Sequence, residues 1–372
     1  MHSDIVTLAG DSPGAERRIT CLRYGRTGAR PKAYLQAGLH ADEMPGVLVL
    51  QHLLPLLDAA EAEGRIAGEV LVVPVANPIG LGQWLQHKPL GRQDLESMQN
   101  FNRNYPDLAA LVGDDLDSVL TGSEAENLHL VRAAFGAALD RAEAKTDLAE
   151  QRLCLLRWSH DADHVLDLHC DHHAVLHLYA SPARPEDTSL LCRCVGAELA
   201  LIQEVSGGNA FDEALTAPWA ALKRRYEGRF PIPSGCFSAT LEYRGQFDVD
   251  DDLAGRDAAN LMAYLAGIGA VRAEDATAQY PEPPYYPLGG AVEAFAPVGG
   301  VVTWTAAPGD RVEKGQSVAH VTDPVARRRH PIPAPVTGML FRIELWRSCL
   351  RGQGLCHVAG PEIVAEGHLL SD

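Results

Sequence analysis

AYLQAGLHADEMPGVLVLQHLLPLL (33–57) changes its periodicity halfway along. Up to Ala37 it is a short apolar run, which reads as a strand. Gly38 ends that run. From Val47 onward apolar residues face every side of what must then be a helix, with Pro45 in the first-turn position that tolerates proline. His40, Asp42 and Glu43 crowd the joint between the two. In open α/β sheets, ligands bind just beyond the carboxyl ends of strands. Taken alone, the stretch is an ordinary polar turn with an acidic residue at a helix start. His40 and Glu43 become two metal ligands only if the rest of the chain supplies their partners. Asp42 and Met44 read as structural filler.

Outward from this joint the pattern repeats. VLVVPVANP (70–78), HVLDLHC (164–170) and FSATLEY (237–243) read as strands, the first two as strands buried on both faces. SEAENLHLVRAAFGAALDRAE (123–143) opens with Ser123 and Glu126 in capping-box spacing and continues as a helix. LLCRCVGAELALIQEV (190–205) and AGRDAANLMAYLAGIG (254–269) also read as helices, the second closed by glycine. The alternation predicts an α/β fold: a mostly parallel mixed sheet flanked by helices.

At AQYPEPPYYPLGG (278–290) proline and tyrosine crowd together, which marks a domain edge. The expected units are residues 1–285, carrying the chemistry, and a small C-terminal all-β domain, 286–372. Within that tail, GVVTWTAAPGDRVEKGQSVAHV (300–321) and PAPVTGML (333–340) resemble half of a lipoyl or biotinyl barrel-sandwich domain. Such domains carry their modified lysine in a hairpin. The corresponding VTDPVARRRHPIP (321–333) contains none. The tail is expected to pack against the first unit or to mediate assembly into a homo-oligomer.

The formal charge of −17 argues against a nucleic-acid-binding or anionic-lipid-binding surface. A local arginine cluster could still hold a small anion. The eight cysteines are scattered through 372 residues, so reduced core thiols are expected rather than a disulfide framework, and Cys192 and Cys194 lack a second pair to complete a zinc site. No signal peptide or apolar run of membrane-spanning length is visible, and a cytoplasmic location is expected.

Three further stretches carry chemistry. In HVLDLHC, Asp167 and His169 are two apart and share a strand face, with Leu166 and Leu168 on the other. Buried polar groups in so apolar a strand need partners. A histidine ligand oriented by a carboxylate is the usual arrangement at a metal. His40, Glu43 and His169 would form a His2Glu set with one open position, as catalytic zinc requires. Of the neighbouring His160, His164, His172, His173 and His177, most are expected in polar loops or on the surface. In NFNRNYPD (100–107), Asn102 and Arg103 lie in a loop from which an arginine fork could grip a carboxylate. In FSATLEYRG (237–245), Glu242 ends a strand, where a carboxylate could move a proton from water to a leaving amine.

GLHADEMPG, VPVANP, NFNRNYPD, DLH and ATLEYRG, in this order, resemble the blocks of the succinylglutamate desuccinylase and aspartoacylase family, a branch of the zinc carboxypeptidase fold. The resemblance spans roughly residues 30 to 270 and implies one Zn2+ per chain on His40, Glu43 and His169. It further implies that Asn102 and Arg103 hold the substrate carboxylate and that Glu242 is general base and acid. By order alone, Arg92 would stabilise the oxyanion, and Arg225 or Arg229 would be a further substrate arginine. Ala41 departs from the glycine common after the first histidine, which would disfavour a positive φ there. The implied activity is deacylation of a small anionic N-acyl amino acid. The alternatives are a metallocarboxypeptidase acting on peptides and a non-catalytic binding protein on the same scaffold.

Overall fold

The structure is a computed structural model that describes every residue except 1, 11, 274–277, 366, 368 and 370–372. The outer ends of the two expected units, at 1 and 372, therefore lie outside the described residues. Nine strands form the central sheet, in the order His2–Thr7, Arg18–Gly25, Glu69–Val73, Lys32–Ala37, His164–Asp171, Phe237–Gly245, His177–Ala180, Leu199–Ile202 and Tyr285–Pro287. The middle of the sheet is parallel, from Glu69–Val73 across to Phe237–Gly245, and antiparallel pairs flank it. It is a mixed sheet, as the alternation of elements predicts. Every residue of Lys32–Ala37 and Glu69–Val73 is buried, which is why Ala33–Leu35 and Val70–Val73 read as apolar runs.

Helices cover both faces. Met44–Ala62, Pro185–Val195 and Asp251–Gly267 pack on one side through Leu50, Leu53, Leu191 and Leu261. Glu124–Arg141, Asp147–Ser159 and Glu213–Arg225 pack on the other through Phe135, Leu155 and Trp219. The first helix lies so close to the sheet that a Cβ on Gly46 would stand 2.8 Å from Leu168 Cβ and 3.0 Å from its carbonyl oxygen. Glycine is what permits that approach.

Two local expectations are corrected. The helix read over 190–205 ends at Val195, because Gly196 turns left-handed (φ 75°) as its cap. The apolar LALI that follows is a strand, Leu199–Ile202, parallel to His177–Ala180. The capping box is half made: Ser123 Oγ accepts from the Glu126 backbone N–H at 3.3 Å, but the Glu126 carboxylate takes the Thr121 hydroxyl at 2.8 Å.

After Pro287 the chain forms two small sheets around a core that includes Val302, Val321, Ile332, Leu340 and Val358. These sheets are joined to the first unit. His173–Ala174, just past the His164–Asp171 strand, pairs antiparallel with Gly338–Ile343, setting Arg342 opposite Ala174, and Val175 N–H donates to the Phe341 carbonyl at 3.0 Å. Val175, Leu199, Tyr286, Met339 and Phe341 close an apolar seam beneath. All eight cysteines are buried and free. Among the described residues no helix is long and apolar enough to cross a membrane.

Candidate metal centre and its pocket

His40 sits in the turn after the strand Lys32–Ala37, and Glu43 caps the helix Met44–Ala62. The turn closes by Glu43 N–H donating to the His40 carbonyl and Ala41 N–H donating to the Gly91 carbonyl. Gly91 presses against this turn: a Cβ there would lie 2.3 Å from Asp42 N. Positive φ falls on Gly38 (67°), not on Ala41, so alanine in place of glycine costs no strain.

His40 Nδ1 lies 2.9 Å from Glu43 Oε1, and His169 Nδ1 lies 2.8 Å from Glu43 Oε2. One ligand atom from each of the three residues falls within 4.8 Å of the others, and all three side chains are buried. Each ring is oriented from behind. His40 Nε2 contacts Asn100 Oδ1 at 2.8 Å, and His169 Nε2 contacts Asp167 Oδ2 at 2.9 Å. Asp167 is in turn held by Gln36 Nε2 at 3.0 Å. If each Nε2 carries the proton and donates it to Asn100 Oδ1 or Asp167 Oδ2, each Nδ1 presents a lone pair toward Glu43. That is the tautomer a metal ion needs, and two imidazoles with one carboxylate are a donor set that suits a divalent metal. Burial opposes charge on His169, but the Asp167 and Glu43 carboxylates outweigh it and hold the ring well above its ordinary value. A cation therefore suits this spot.

Glu242 is the register partner of His169 on the neighbouring parallel strand, and it lines the same cavity of about 370 Å³. Burial, and then the Glu43 carboxylate, push its carboxyl well above the usual range, and Oε2 has no hydrogen-bond partner among the described residues. Arg92 lines the cavity half-exposed, its Nη1 3.6 Å from Glu43 Oε1 and 3.5 Å from His40 Nδ1. Arg103 is buried, lines the cavity and donates from Nη1 to the Asn102 carbonyl. The Asn102 amide is already engaged: Oδ1 accepts from Phe211 N–H at 2.8 Å, and Nδ2 lies 3.4 Å from His169 Nε2.

Arg225 bonds Asp114 and the Gly113 carbonyl, and Arg229 stacks on Tyr226 and Phe230. Neither lines the cavity. Its third arginine is Arg342, from the C-terminal sheets, whose Nε stands 3.3 Å from Asp171 Oδ1. Glu293 and His357 reach the cavity from the same sheets. No motif marks these three; the strand pairing at Ala174 brings them in. Asp42, read as filler, also lines the cavity and accepts from Gln246 Nε2 at 3.1 Å. His164 and His177 are buried strand residues, not loop residues. His164 Nδ1 lies 2.9 Å from the Tyr264 hydroxyl and His177 Nδ1 lies 2.9 Å from the Val175 carbonyl, and burial drives the His164 pKa down to about 4.

Fold and site together describe a helix-flanked mixed sheet with a candidate metal centre beyond its strand ends. A protein of Shewanella frigidimarina NCIMB 400 named for the succinylglutamate desuccinylase/aspartoacylase group has this fold, with a TM-score of 0.83 and 24% identity over 96% of each chain. One from Shewanella amazonensis SB2B has a TM-score of 0.81 and 24% identity over 96% of this chain and 98% of its own. A succinylglutamate desuccinylase of Silicibacter sp. TM1040 is more distant, with a TM-score of 0.63 and 17% identity over 96% and 95% of the two chains. No curated protein matches the chain. Residues 29–151 match the family model of the succinylglutamate desuccinylase/aspartoacylase catalytic domain. The segment holds His40, Glu43, Arg92, Asn102 and Arg103; His169 and Glu242 lie beyond it.

Proposed function

We propose that the protein is a zinc-dependent amidohydrolase that removes the acyl group from a small N-acyl amino acid. One observation carries the reading: Glu242 stands in register with His169 beside the buried His40–Glu43–His169 cluster. His40, Glu43 and His169 would hold the zinc ion, which would lower the pKa of a bound water to about 7 and polarise a carbonyl. Glu242, whose carboxyl burial raises above its usual range, would take the water's proton and later pass it to the departing amine. Arg92, beside Glu43, faces the negative charge that develops on the scissile oxygen. Arg103 grips the amino-acid carboxylate, and Asn102, whose Oδ1 accepts the Phe211 backbone N–H, fixes the loop that carries it.

A cavity of about 370 Å³ walled by Arg342 suits a single acylated amino acid better than a peptide, which disfavours the carboxypeptidase reading. We read 286–372 as a separate folding unit resembling half of a carrier domain. Its role is to wall the pocket rather than to carry a prosthetic group. The test is metal analysis of the purified protein, together with amine release from a panel of N-acetyl, N-succinyl and N-formyl amino acids. Stoichiometric zinc and release from one class support the reading. Metal-free protein whose stability is unchanged in chelator overturns it, and favours a binding protein on the same scaffold.

A further inference from the structure

The cavity has an acidic corner that the proposed reaction does not use. Asp212 and Glu213 line it at the start of the helix Glu213–Arg225. Glu213 is 7% exposed; one of its oxygens accepts the Ser206 backbone N–H, while Oε2 is buried with no hydrogen-bond partner among the described residues. A buried carboxylate oxygen without a donor costs on the order of 1–3 kcal/mol or more. Because Glu213 lines the cavity, the cavity is the place from which a ligand could supply that donor. Asp212 adds a second carboxyl. Burial, and then Glu213, drive its pKa up to about 7, the response of a group lacking a nearby compensating cation.

The corner is built into the same segment as the carboxylate grip. Phe211, immediately before Asp212, donates to Asn102 Oδ1. Asn104 and Tyr105 N–H groups donate to the carbonyls of Gly208 and Asn209. Gly208, at φ 83°, leaves the room that Arg103 fills: a Cβ there would lie 2.6 Å from Arg103 Cδ. Arg103 and Glu213 are therefore stapled to opposite ends of residues 208–213. Both line the cavity, so a small molecule bearing a carboxylate and a positively charged nitrogen offers a group to each.

We infer that Asp212 and Glu213 form a subsite for an ammonium group, so that the amino acid released carries a cationic side chain. This rests on the reading of Arg103 as carboxylate anchor, and it refines the substrate from an anionic N-acyl amino acid to an N-acyl diamino acid. The test is calorimetric titration of the full-length, metal-loaded protein with ornithine and with norvaline, which has the same carbon chain without the terminal amine. Ornithine is expected to bind about tenfold tighter. That preference is expected to vanish in Glu213→Gln, which retains an acceptor for Ser206 N–H, and to weaken in Asp212→Asn. Equal binding of the two ligands, no detectable ornithine binding, or a preference that survives both substitutions overturns the subsite. Because binding is read without turnover, the two proposals fail separately. A preference for ornithine without amine release from any N-acyl amino acid sinks the deacylase and leaves the subsite. Release from N-acetylnorvaline as fast as from N-acetylornithine, with equal binding, sinks the subsite and leaves the deacylase.

Discussion

Glu242 and His169 are direct register partners on adjacent parallel strands. Side chains in register on neighbouring strands stand about 4.8 Å apart on one face of the sheet. The spacing between the proposed base and the proposed ligand is therefore fixed by backbone hydrogen bonds rather than by a loop.

Glu242→Gln should accordingly leave the metal site undisturbed while removing proton transfer. Metal content is expected at the wild-type level, with amine release down by about 10²- to 10⁴-fold. Wild-type turnover in this variant would remove Glu242 from the mechanism.

Chelation should act on stability as well as on activity. Glu43 bridges two imidazoles that Asn100 and Asp167 orient, so metal loss leaves His169 as the main counter-charge to two buried carboxylates. Saturating metal at ~1,000 times its dissociation constant stabilises the folded state by about 4 kcal/mol. A lowered melting temperature in chelator, restored by zinc, is the expected calorimetric result, and His169→Ala should show the lower value in either condition.

Gly46→Ala should damage the site without touching it. The added Cβ meets Leu168 Cβ and backbone, neither of which can swing aside. The helix must lift from the strand, at a cost of about 1–3 kcal/mol. Glu43 caps that helix and His169 follows Leu168, so weaker zinc affinity is expected alongside the lower melting temperature.

Asp163 gives a pH signature far from the pocket. Burial raises its carboxyl, but the Lys32 backbone N–H at 2.6 Å and the Arg132 guanidinium at 2.7 Å outweigh this and hold it below its ordinary value. A group with a depressed folded pKa stabilises above its unfolded pKa of about 3.9 and loses that contribution as pH falls through the folded value. Asp163→Asn should cost about 2 kcal/mol at pH 7. The gap from wild type should close below about pH 4. A gap that persists undiminished at pH 3 would assign the loss to packing instead.

The joint at 36–46 was legible because a strand period gives way to a helix period across two ligand-type side chains. His169 was legible because polar residues two apart interrupt an apolar strand. His164 and His177 lie on the same kind of strand, yet their burial could not be read. Their partners, the Tyr264 hydroxyl and the Val175 carbonyl, are set by tertiary packing and by local turn geometry. Gly196 sits inside an apolar run whose composition suits helix and strand equally, so its left-handed cap has no sequence signal of its own. Arg342, more than 170 residues from His169, shares no spacing with it and reaches the cavity only through sheet addition. Asp212 and Glu213 open an ordinary helix, and nothing in their local sequence reveals that Glu213 keeps a buried acceptor oxygen without a donor.

The pairing of His173–Ala174 with Gly338–Ile343 also limits how the molecule can breathe. The rungs that hold the tail are attached four residues past His169, and Arg342 is one of them. If the tail swung outward it would pull on the strand that presents His169, so it cannot serve as a door. Entry and exit must use an opening that exists while Arg342 is in place. A tail exchanged between relatives would bring its own pocket wall, and would work only if its edge strand docked on the same two residues.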